Sequence, residues 1–155
     1  MANVAATAGV SKVTVYSRWS SKSELIGAAL GYLQLGHIPA PTGDVRADLI
    51  AMLRAMRMQY NAVGGMSIIG SCLIDEPSSG KLMDIVRERT ILPRRRAFLG
   101  VVQAGIDAGH IREIDPDRVV SALVGLFYAD HIAGIPMSDD WDEASVDLIL
   151  RGIDR

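Results

Sequence analysis

Between Ser11 and Lys22 the chain gathers side chains suited to gripping a nucleic acid. Lys12, Arg18 and Lys22 bring positive charge, Thr14, Tyr16 and Ser17 bring hydroxyls, and residues 1–22 contain no carboxylate. Cations and hydroxyl donors on one surface are what backbone phosphates require, and the arginine fork also matches the paired acceptors of a guanine edge. Bond-making chemistry has far less to draw on. His37, His110 and His131 fall in separate segments, the one cysteine, Cys72, has no base near it in sequence, and no pair of these residues shows metal-ligand spacing. Neither an enzyme nor a cofactor or metal site is expected.

These side chains need a scaffold, and the flanking residues supply one. Val4, Ala5 and Ala8 put small apolar groups on one side of a short first helix, which lets a second helix cross it closely. Gly9 can take the positive φ of a tight exit, and Ser11 is placed to cap the next helix. Val15 and Trp19, four apart, should face inward, so that residues 11–22 form a rod with its polar side outward. Ser21 and Glu24 have the spacing of a capping box ahead of Leu25, Ile26 and Leu30, which predicts a third helix. The layout is that of a helix-turn-helix. Spacing alone also fits an ordinary helical hairpin.

The segment GVSKVTVYSRWSSKSEL closely resembles the recognition segment of the TetR family of bacterial transcriptional repressors. Gly9, Val10, Ser11, Lys12, Thr14, Tyr16, Trp19, Ser21, Lys22 and Leu25 all fall on that family's pattern. The resemblance implies that Val13 and Thr14 sit at the groove, that Tyr16 and Lys22 hold phosphates, and that Ser11 helps register the helix. Ser17 and Arg18 occupy positions that vary in the family and would add contacts, and Val13 could meet a thymine methyl or simply be a tolerated exposed valine. Trp19 would fill the space behind the recognition helix. In the family a further helix precedes the whole helix-turn-helix, so the chain is expected to lack the first helix of its DNA-binding domain. That leaves a rival expectation, a dimerising ligand-binding protein without DNA binding.

Composition bounds the rest. With 155 residues, 49 % hydrophobic but 5 % aromatic, and 15 glycines, the chain favours packed helices over a sheet. A single cysteine excludes an internal disulfide, and the absence of a signal-like or membrane-length apolar run reads as cytoplasmic. The net charge of −2 conceals +3 in residues 1–22 and −5 beyond them, so only the front end invites DNA.

Beyond a linker at Gly36 to Gly43 that contains Pro39 and Pro41, Asp44 should cap a helix running to about Tyr60, with Leu49, Met52, Leu53, Met56 and Tyr60 as its apolar stripe. A weaker segment spans Ile68 to Ile74. Helices are then expected from Ser79 to Glu88, from about Thr90 to Ala108 with Pro93 in the first turn, from Pro116 to Ala133, and from Trp141 or Asp142 to Arg151. The acidic run Asp139, Asp140, Asp142 and Glu143 reads as a solvated cap. Arg87, Arg89, Arg94, Arg95 and Arg96 read as an outer face pairing with the acidic C-terminal region.

The stretch from Gln103 to Asp140, with VDLILRGI after it, resembles a C-terminal domain of TetR-like regulators. The expected fold is all-α and TetR-like, with a partial helix-turn-helix domain at 1–35 and an effector-binding and dimerisation domain at 43–155. The resemblance implies a homodimer through the last two helices, with Val120, Leu123, Val124, Phe127 and His131 facing Val146, Ile149, Leu150 and Ile153. Each of these is equally suited to the interior of one chain. The effector would be a small hydrophobic molecule lined by Met52, Met56, Tyr60, Met66, Cys72, Phe98, Val102, Tyr128 and His131, and the other partner a double-stranded, pseudopalindromic operator.

Overall fold

The computed structural model describes residues 1–32, 38–75 and 80–153, and among them the regular structure is helical. The helices are α1 (Ala2–Thr7), α2 (Lys12–Tyr16), α3 (Lys22–Tyr32), α4 (Val45–Val63), α5 (Gly65–Asp75), α6 (Lys81–Val86), α7 (Leu92–Asp107), α8 (Pro116–Ala133) and α9 (Trp141–Ile153). They sort into two units. The first takes residues 1–36 and 66–92, the second 37–65 and 93–155. Helices α5 and α6 therefore group with the front of the chain.

In the first unit α1 packs on α2, and α3 packs on α6. Gly27 permits that second approach, because a Cβ there would meet Ile85 Cγ2 at 3.3 Å. The expected weak segment after Gly64 is a full helix, α5, and the expected start of the next helix at Ser79 lies outside the described residues. The predicted break between Glu88 and Thr90 is absent. A wide π turn, Arg87–Ile91, links α6 directly to α7, with the Leu92 N–H reaching back to the Arg87 carbonyl. Pro93 explains it. Its ring has no N–H to donate and would collide with the carbonyl four residues earlier in a tight α turn, and the wider turn gives it room. The hydroxyl of Thr90, buried in this turn, has no hydrogen-bond partner among the described residues.

In the second unit α4 lies against α9 and α8, and α8 against α9. Asp44 caps α4 as expected, its side chain accepting from Ala47 N at 2.9 Å, and Asp115 caps α8 by accepting from Asp117 N at 3.0 Å. The stripe Leu49, Met52, Leu53, Met56 and Tyr60 is buried, together with Phe98, Val102, Val120, Leu123, Phe127 and Val146. The acidic run corrects its expectation. Asp142 is fully buried, with Arg57 Nη2 donating to it at 2.6 Å and Arg54 Nε at 3.5 Å, while Glu143 receives Arg54 Nη2 at 3.1 Å. The first turn of α9 is thus docked by charge on α4, and the arginines it meets are not those of the 87–96 cluster. In that cluster Arg95 pairs with Asp117 and Arg87 with Asp84.

Candidate functional site

The front of the chain forms its surface from hydroxyl chemistry close to the backbone. Ser11 Oγ accepts from Thr14 N at 3.1 Å and lies 2.9 Å from Thr14 Oγ1, and Ser17 Oγ donates to the Thr14 carbonyl at 3.0 Å. These contacts cap both ends of α2, which is only five residues long, so Ser17 and Arg18 sit in the turn after it and not on a continuous rod. The chain then enters α3 through the expected cap: Ser21 Oγ accepts from Glu24 N at 3.1 Å. The Glu24 carboxylate reaches one residue further back than a capping box requires and accepts from both N and Oγ of Ser20. Those hydrogen bonds hold its carboxyl below the usual glutamate range.

Burial separates the two sides of this motif. Val15 is 4 % exposed and Trp19 half-buried, while Ser11, Lys12, Val13, Thr14, Tyr16, Ser17, Arg18 and Lys22 are all exposed, Val13 at 77 %. The eight positions singled out from the sequence therefore share solvent, and the two expected anchors lie behind them.

The interior of the second unit is organised around Phe127. Tyr60, Tyr128, Trp141 and His131 place their rings around it at centroid distances of 5.2, 5.6, 6.2 and 6.1 Å. Trp141 Nε1 donates to Asp130 Oδ2 at 2.8 Å, and the Tyr60 and Tyr128 hydroxyls share a hydrogen bond of 2.6 Å. Beside them Arg94 is buried, donating to Gln59 Oε1 at 2.5 Å with its guanidinium carbon 5.6 Å from the Tyr60 ring centre. Burial lowers the Arg94 pKa, and burial followed by the neighbouring Tyr60 raises that of Tyr128, so both are pushed toward their neutral forms. Sequence reasoning anticipated Tyr60 and Tyr128 but treated Arg94 as an outer-face residue. Its position three residues after Ile91, where the wide turn ends, is the signal that was not legible, because the turn shifts which face points inward.

Of the nine residues expected to line an effector site, Met66 and Cys72 belong to the first unit and the other seven to the second. Met52, Met56, Tyr60, Cys72, Phe98 and Val102 are buried, Met66 and Tyr128 half-buried, and His131 exposed. Of the expected dimer face, Val120, Leu123, Phe127 and Val146 are fully buried inside the single chain and form its core. Packing explains the difference: the α8 stripe that follows Val120 at three and four faces α4 and α9. Val124, Ile149 and Leu150 are half-buried, His131 is exposed, and the Ile153 side chain lies outside the described residues. Among the described residues, the large apolar side chains that these two helices and their connection leave open include Ile132 at 78 %, Leu148 and Ile135. Among the described residues no three His, Cys, Asp or Glu side chains converge as a metal site, and no helix is long and apolar enough to cross a membrane.

Comparison with known proteins agrees with both halves. Residues 1–29 match a family model described as bacterial regulatory proteins of the tetR family, and residues 39–149 match one described as a tetracyclin repressor-like C-terminal domain. An HTH-type transcriptional regulator of Mycobacterium tuberculosis is 33 % identical over 98 % of this chain and 76 % of its own length. A protein of Mycobacteroides abscessus named as a DNA-binding transcriptional repressor, TetR, is 43 % identical over 41 % of this chain and 34 % of its own. The crystal structure of the TetR family transcription regulator SCO0332 superposes with a TM-score of 0.71 at 29 % identity, covering 99 % of this chain and 86 % of that one.

Proposed function

Since the chain belongs to the TetR family of bacterial transcription regulators, we propose that it acts as a repressor: a homodimer that binds a pseudopalindromic operator and is released by a small, largely apolar effector. DNA binding and transcription regulation are the family's role. We further propose that it works in the cytoplasm and carries out no catalytic step. The observation that carries the reading is the exposed, cationic and hydroxyl-bearing side of α2 and its following turn, backed by buried Val15. Phosphates meet Lys12, Tyr16 and Lys22, while Val13, Thr14 and Arg18 are left to meet base edges. The repressor named among the relatives supports the sign of regulation.

Dimerisation is assigned to the open apolar side chains Ile132 and Leu148 together with half-buried Val124, Ile149 and Leu150. The effector belongs in the second unit, where the aromatic cluster offers carbon walls and the Tyr60 and Tyr128 hydroxyls offer polar anchors. Selection of binding sites from a randomised duplex pool tests the whole reading. Two half-sites separated by about one helical turn, ~10 bp, are expected. Tyr16→Phe should weaken cognate and scrambled duplexes alike, Arg18→Ala should also relax preference, and Lys22→Ala should flatten the slope of log affinity against log salt by about 0.9. A pool that yields no enriched sequence, or variants that change neither affinity nor salt slope, would overturn it.

A further inference from the structure

The second unit holds a cleft of about 380 Å³ on the side where α4 and α7 meet the segment 38–43, within the range of small-molecule sites. Its walls are Pro39, Pro41, Val45, Met52, Ala97 and Gly100, so they are almost entirely carbon. The floor consists of two long helices. The remaining wall is pinned by Asp48, a buried carboxylate that accepts from Thr42 N and Oγ1 at 2.8 Å each and from Gly43 N at 3.0 Å. Both Asp48 oxygens are therefore engaged by the chain itself, which fixes this wall of the cleft. Along α7 the small residues leave it open: a Cβ built on Gly100 would meet nothing within 4 Å.

One charged group stands at this cleft without an assignment. Arg95 is held by Asp117 and Ser121, and Arg94 by Gln59. Arg96 lines the cleft, is exposed, and makes no hydrogen bond or ion pair among the described residues. Carbon walls with a single guanidinium at the lip are the complement of a molecule with a hydrocarbon chain and one anionic end. The chain displaces poorly bound water from the walls, and the planar fork receives a carboxylate through two parallel hydrogen bonds.

We propose that this cleft binds medium-chain monocarboxylates, with the alkyl chain between Pro39, Met52 and Gly100 and the carboxylate on Arg96. The proposal does not depend on operator binding or on the interior aromatic cluster being an effector site, and it is tested without DNA. Calorimetric titration of the full chain with decanoate, decanol and decyltrimethylammonium, each below its micelle-forming concentration, supplies the comparison. Saturable decanoate binding with a negative heat-capacity change is expected. Arg96→Gln should weaken decanoate roughly fivefold and leave decanol unchanged. Gly100→Leu, which fills the open space in a helix that tolerates it, should abolish both while the circular-dichroism melt stays at or above that of the parent. Equal affinity of the parent for decanoate and decyltrimethylammonium, decanoate binding that survives Gly100→Leu, or the absence of saturation would each overturn the assignment.

Discussion

Replacing Phe127 by alanine separates two roles that one α8 residue could have. In the structure its side chain is fully buried and ringed by Tyr60, Tyr128, Trp141 and His131. Truncation leaves a cavity among large rings that cannot close over it, and phenylalanine-to-alanine changes at such sites cost about 3–5 kcal/mol. For a chain of this size the melting temperature should fall by about 8–16 °C, taking a loss near 4 kcal/mol. Trp141 lies within the same cluster, so its fluorescence in a Trp19→Phe background reports unfolding of the second unit alone. A urea series at several protein concentrations then isolates the protomer's own stability from any linked association. Ile132→Ala, on an open position of the same helix, should move the protomer midpoint by no more than about 0.5 kcal/mol. The reasoning fails if Phe127→Ala costs less than about 1 kcal/mol and instead dissociates an oligomer, since the ring would then be serving an interface.

Asp142→Ala strips the buried partner from Arg57 and should cost about 3 kcal/mol by urea unfolding, against a negligible change for the exposed pair partner Glu143→Ala. Asp48 gives a pH signature: burial raises its carboxyl, but the hydrogen bonds from Thr42 and Gly43 outweigh that and hold it below the reference 3.8. Its folded pKa is depressed, so its stabilisation is complete above about pH 5 and is lost as pH falls through the folded value. The stability gap between the parent and Asp48→Asn should accordingly narrow on acidification, and a gap that widens would contradict the hydrogen-bond account. Thr90→Val removes a buried hydroxyl that finds no partner among the described residues and should raise stability by about 1 kcal/mol, measured by the denaturation midpoint. Gly65→Ala should destabilise, because a Cβ there would lie 2.7 Å from Tyr60 Cδ1 and 3.1 Å from its Cα, and the melt should drop even though alanine favours helix.

Local chemistry was legible where a residue's role depends on its near neighbours. Ser11, Ser21, Asp44 and Asp115 declare helix starts by type and position, and each accepts the backbone hydrogen bond that its position foretells. The inward pair Val15 and Trp19 follows from a single turn of helix. What failed depended on which helix meets which. The α8 stripe is apolar whether it faces a second copy or α4, so Phe127 and Val120 could not be assigned by period alone. Asp142 looked like a solvated cap because its partners, Arg54 and Arg57, are more than eighty positions earlier. Pro93 was read as a helix start when the chain instead widens one turn and carries on, and that change of register is what brings Arg94 indoors.

The brevity of α2 has a consequence for inheritance. Five residues cannot hold a helix in water by themselves, so the reading surface exists only while Val15 and the packing beneath it are intact. Observed affinity is the intrinsic affinity scaled by the fraction of molecules in which that surface is assembled. Substitutions such as Val15→Ala or Ala5→Gly, which would touch no nucleotide, should thus give conditional alleles that regulate in the cold and fail on warming. A genetic screen for thermosensitive regulation ought to return the hidden side of the motif as often as the side turned to the operator.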